Sequence, residues 1–85
     1  MTWAPLTIIW TNRAERDLKR LARDVQKRVT DAVEAFASAG AGQVEKMKDG
    51  SGHKLRVGTW RVGVAVELRA GQITVIWVSK RGDAY

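Results

Sequence analysis

Lys54-Leu55-Arg56-Val57-Gly58-Thr59-Trp60-Arg61-Val62-Gly63-Val64-Ala65-Val66 alternates apolar residues with polar or small ones on both sides of a Gly-Thr pair. A period of two broken by a glycine-led pair is the pattern of a tight β-hairpin, and Gly58 in the first turn position suits a type II′ turn. A two-residue loop pairs Val57 with Trp60, Arg56 with Arg61 and Leu55 with Val62. Directly opposed residues share a face of a sheet, and so do alternate residues of one strand. Leu55, Val57, Trp60, Val62, Val64 and Val66 therefore project to one side. Lys54, Arg56 and Arg61 project to the other, where Gly63 and Ala65 leave a shallow trough wide enough for a nucleotide. Cations gathered on one face repel one another unless an anion lies among them.

Downstream, Ile73-Thr74-Val75-Ile76-Trp77-Val78 forms another strand. A three-residue Arg69-Ala70-Gly71 loop, with Gly71 left-handed, pairs Leu68 with Gln72. That register sets Val62 against Val78 and Arg61 against Ser79, and sends Thr74, Ile76 and Val78 inward. Arg81 then joins the cationic face. A two-residue Ala70-Gly71 loop shifts the register by one and buries Val75 and Trp77 instead. The first register is preferred because it aligns its apolar residues with Val62, Val64 and Val66.

Upstream, the period is helical. Leu6-Thr7-Ile8-Ile9-Trp10 has the β-branched and aromatic content of a short strand, and it ends at Thr11-Asn12. Both are good N-caps, and Asn12 with Glu15 resembles a capping box. Ala14, Leu18, Leu21, Ala22, Val25, Val29, Ala32, Val33 and Phe36 then recur at helical steps, forming one apolar stripe. A break is expected near Ala22-Arg23-Asp24, with Asp24 capping a second helix from Val25. Gly40 is placed to end it. Gln43 to Gly52 reads as polar and irregular. The predicted order is β-α-α-β-β-β: an α+β domain, residues 1–85, with a helical hairpin on one face of a largely antiparallel four-stranded sheet.

Composition narrows the function. Fifteen Lys and Arg against nine Asp and Glu give a net charge of +6. Residues 13–34 are close to balanced, with seven basic and five acidic side chains, and Arg20 and Arg28 are expected to be neutralised by Asp17, Asp24 and Asp31. The excess lies in the second half, where Lys46, Lys48, Lys54, Arg56 and Arg61 face Asp49 alone across residues 46–61. Such a field fits a polyanion or an acidic partner. There is no cysteine, hence no disulfide or thiolate chemistry, which fits a cytoplasmic protein. No basic leader and apolar run follow Met1, and Ile73 to Val78 is too short to span a bilayer, so no membrane association is expected. No His, Cys, Asp or Glu spacing indicates a metal site. His53 reads as a loop or strand-edge residue.

The chain resembles the RelE/ParE superfamily of toxins. The resemblance rests on Ile9-Trp10-Thr11 leading into Ala14, Asp17-Leu18 and Leu21, on the Lys54 to Val62 hairpin, and on Lys80-Arg81 with Tyr85. It implies a type II toxin–antitoxin module, with a cognate antitoxin that wraps the toxin. RelE-like members cut messenger RNA in the ribosomal A site without metal or cofactor; ParE-like members poison DNA gyrase. Lys54, Arg61, Arg81 and Tyr85 stand where RelE-like nucleases have their catalytic residues. Lys46, Lys48 and Arg56 are candidate substrate-binding cations, and Trp77 is the tryptophan to test as a stacking platform. The pattern departs from the nucleases at Gly52, a lysine in the best-known member, and at Ser79-Lys80-Arg81, which lacks the histidine of some relatives. The expected chemistry is attack by the substrate's own 2′-hydroxyl. Arg61 holds the phosphate, Lys54 carries a proton, Arg81 neutralises the leaving oxygen and Tyr85 orients the 2′-hydroxyl.

Overall fold

A computed structural model describes residues 4–47 and 52–80. The element order is β1 (Thr7–Trp10), α1 (Asn12–Lys19), α2 (Arg23–Ala39), β2 (Gln43–Lys46), β3 (His53–Val57), β4 (Trp60–Glu67) and β5 (Gln72–Lys80). The strands form one sheet in the order β1-β5-β4-β3-β2. Every neighbouring pair is antiparallel except β1 with β5. The architecture is α+β as expected, but the sheet has five strands among the described residues, not four. Gln43-Val44-Glu45-Lys46 offers one inward apolar residue among polar ones, so its pattern is that of a loop. Backbone pairing with β3, not hydrophobic alternation, makes it a strand. Its exposed Glu45 and Lys46 suit an edge, because edge charge discourages pairing with other chains.

The helices cover one face. Val29, Val33, Phe36 and Ala37 of α2 and Ala14 of α1 are buried together with Leu55, Val57, Val62, Val64, Ile73, Val75 and Val78 of the sheet. Trp60 and Val66 pack against this core half-exposed, as do Leu18, Leu21 and Val25. Thr11 caps α1, its side chain accepting the Ala14 N–H, so the cap falls one residue before the Asn12 box expected. α2 begins at Arg23 with no side-chain cap, two residues ahead of the start expected after Asp24. The Gln26 amide instead bonds back to the Leu21 carbonyl, at 2.9 Å, across the break. Gly40 ends α2 at φ 69°, the left-handed cap its position indicates. No helix among the described residues is long and apolar enough to cross a membrane.

The two hairpins carry the functional face. Val57 pairs with Trp60 across Gly58-Thr59, with Gly58 at φ 60°. Gly58 has positive φ and Thr59 does not, which distinguishes type II′ from type I′. The β4–β5 hairpin follows neither expected register along its whole length. At its open end Val62 faces Val78 and Arg61 faces Ser79, as in the preferred alignment. Near the turn Glu67 faces Gln72 and Val64 faces Val75, because the loop is four residues long, Leu68 to Gly71. A bulge at Ile76 absorbs the difference. It lets Ile73 and Val75 point to the core before the bulge and Val78 after it, a combination that no uniform register gives.

Candidate nucleic-acid interface

The sheet face turned away from the helices is built in two rows. One runs Gln43, Arg56, Arg61, Ser79; the next runs Glu45, Lys54, Gly63, Trp77. The hairpin arithmetic thus holds: Lys54, Arg56 and Arg61 share a face, and Ser79 lies beside Arg61. Register puts Lys46 on the other side of the sheet, opposite His53 and facing the helices, so it does not join them. Lys48, Arg81 and Tyr85 lie outside the described residues.

Two features of this face depart from expectation. A carboxylate is present: Glu45 Oε1 is 3.1 Å from the Arg56 guanidinium, with both side chains partly exposed. β2 brings it there, and a polar stretch read as irregular conceals that neighbour. The trough at Gly63 is also filled. A Cβ built on Gly63 would lie 2.3 Å from Cε2 of the Trp77 indole, so the ring lies over the glycine backbone. Trp77 is 7% exposed although it points away from the main core. The tryptophan is therefore packed over Gly63 in the row of Lys54, next to the row of Arg61, and is not an open platform. The absent side chain at Gly63 makes room for it.

The bulge that aims Trp77 is held from α1. Thr11 N–H donates to the Val75 carbonyl at 3.0 Å, and Thr11 Oγ1 donates to the Ile76 carbonyl at 2.9 Å. Six residues later Asp17 Oδ2 accepts the Val78 N–H at 3.0 Å. β1 reaches only as far as Val75, so these bonds, two of them from side chains, take over where strand pairing stops. They fix the backbone of the segment carrying Trp77 and Ser79. Sequence reasoning assigned Asp17 to a helix-surface charge pair and did not see this contact, which spans 61 residues.

Gly52, where the best-known RelE-like nuclease has a lysine, has a structural reason for being glycine. Its φ is 155°, and an added Cβ would lie 2.5 Å from the Val64 carbonyl oxygen. A side chain there requires the β3–β4 backbone to move. His53 is turned from the cations and lines an apolar groove of about 360 Å³ with Phe36, Val44, Val66 and Leu68. Its Nδ1 is buried without a hydrogen bond among the described residues. No cluster of three or more potential metal ligands occurs among the described residues.

Residues 8–85 match the sequence profile of the ParE toxin of the type II toxin–antitoxin system, parDE. The chain belongs to the ParE toxin family. It is thus a type II toxin of the RelE/ParE superfamily. Among curated proteins, none matches the toxin in sequence. Two solved structures share its fold. The toxin–antitoxin complex RelBE2 from Mycobacterium tuberculosis aligns with a TM-score of 0.79 and 20% identity, over 94% of this chain and 95% of that one. The archaeal RelE–RelB complex from Pyrococcus horikoshii aligns with a TM-score of 0.77 and 20% identity, over 99% and 100%. At that identity the likeness is one of fold.

Proposed function

We propose that this toxin is a metal-independent endoribonuclease that cuts messenger RNA, on the ribosome, and is silenced by a cognate antitoxin. The observation that carries the reading is the placement of Lys54 and Arg61 on one face, Lys54 in the row of Gly63 and Trp77 and Arg61 in the row beside it. Two cations beside the glycine that Trp77 covers offer a surface on which a phosphodiester can be held.

The 2′-oxygen of the substrate attacks the adjacent phosphorus. A bond from O2′ to phosphorus forms and the bond to O5′ breaks, leaving a 2′,3′-cyclic phosphate and a 5′-hydroxyl. Arg61 grips two non-bridging oxygens with its planar fork and stabilises the charge gathering on them. Lys54 takes the 2′ proton, Tyr85 orients the 2′-hydroxyl, and Arg81 neutralises and protonates the leaving oxygen. Arg56 draws the strand in through its field, tempered by Glu45. The antitoxin partner follows from the type II class of the family and from the two structural neighbours, both solved as toxin–antitoxin complexes.

A second reading is inhibition of DNA gyrase without nuclease activity. The ParE profile match favours it, and so does Gly52, whose cramped backbone leaves no place for the extra lysine. Induction in growing cells followed by mapping of transcript 5′ ends separates the two. New ends inside translated codons, abolished by Arg61→Ala, support the nuclease. Double-strand DNA breaks and an SOS response with intact transcripts overturn it in favour of gyrase.

A further inference from the structure

The helix-side cations are less neutralised than their sequence neighbours imply. Asp17, expected to balance Arg20, is taken by the Val78 N–H and lies 3.8 Å from Arg13 Nε. Asp31 is bonded to Lys27 at 3.1 Å. No ion pair reaches Arg20 or Lys80 among the described residues. These two cations meet Arg13 around a cleft of about 250 Å³ between α1 and the open end of the β4–β5 hairpin. Its remaining lining is Asp17, Leu21, Trp60, Val78 and Ser79. Three cations face one carboxylate that is already engaged. The floor is apolar, with Val78 buried and Leu21 and Trp60 half-buried.

Position decides what such a cleft holds. Lys80 pairs with Trp60, and their neighbours Ser79 and Arg61 pair on the opposite face. Among the described residues, cations therefore lie on both faces of this end of the sheet, Lys54, Arg56 and Arg61 on one and Lys80, Arg20 and Arg13 on the other. A rigid acidic helix cannot reach both faces; a flexible single strand can. Cations beside a half-exposed aromatic ring also match the way single strands are bound, phosphates on the charges and a base on the ring.

We infer that the α1–β5 cleft is a second nucleic-acid subsite, holding the part of a single strand that flanks the nucleotide bound on the far face. The inference deepens the ribonuclease reading, on which its choice of ligand rests, but needs no cleavage.

The test measures binding of a 2′-O-methyl RNA dodecamer, which cannot be cut, to the purified toxin as salt is raised. A trinucleotide of the same chemistry and a poly-glutamate peptide are run beside it, and thermal melts check the fold. Arg20→Ala with Lys80→Ala is expected to reduce the slope of log K against log salt by about 1.4, two phosphate contacts at roughly 0.7 each on a single strand. Trinucleotide binding, confined to the far face, is expected to be unchanged. A dodecamer slope and affinity identical to those of the parent overturn the inference. So does equal loss with the trinucleotide, or tighter binding of poly-glutamate that the same double variant abolishes. If Arg61→Ala leaves toxicity intact while the double variant still lowers the slope, the ribonuclease reading fails and the subsite stands.

Discussion

At the residue scale, Glu45 and Arg56 show how one carboxylate tunes a cationic face. Glu45→Gln removes the charge 3.1 Å from Arg56 while keeping the shape. We expect it to tighten RNA binding several-fold at low salt, with the gain vanishing as salt screens the field; a titration showing no change at any salt concentration refutes this role. Gly52 makes the opposite point. Gly52→Lys imports the residue found in the best-known nuclease, but the new Cβ meets the Val64 carbonyl at 2.5 Å in a backbone region suited to glycine. The expected result is a loss of about 1–3 kcal/mol in denaturant unfolding with no gain in RNA cleavage. A variant as stable as the parent and more active contradicts it.

Elements were legible where their period was strong. The β3–β4 hairpin was readable to the residue because Leu55, Val57, Trp60, Val62 and a turn glycine all agree. From that pairing came the shared face of Lys54, Arg56 and Arg61. β5 was less legible: Ile73, Val75 and Val78 are all buried, but no single alternation buries all three, and a bulge is invisible to a rule of twos. β2 was illegible because its partner, not its composition, makes it a strand, and Glu45 went unseen with it. The Asp17 contact was hidden for the same reason, being a bond between elements distant in sequence. Asp17→Ala leaves the half-buried Val78 N–H without its acceptor and is expected to cost about 1–3 kcal/mol. Hydrogen exchange should quicken at Val78 to Lys80 while the β3–β4 ladder stays protected. Uniform exchange across the sheet would show that the carboxylate does not hold this strand end.

At the scale of the whole molecule, thirteen buried residues among those described form a cluster that joins helices to sheet, and Leu55 is among its fully enclosed members. Leu55→Ala is expected to cost about 2–5 kcal/mol, read from chemical denaturation, because neither α2 nor the sheet can collapse into the gap. A cost below 1 kcal/mol would mean that the helices slide to refill it. Toxicity should fall in parallel with the folded fraction, unlike Arg61→Ala, which is expected to remove activity at full stability.

The pairing of β1 with β5 joins the first of the described strands to the last. Thr7 and its neighbours have no ladder to enter until Gln72 to Val75 have been made, so a growing chain carries its helices early and closes its sheet late. Loops of that length form slowly compared with local helix contacts. Synthesis thus imposes a delay between the appearance of the polypeptide and its power to do harm.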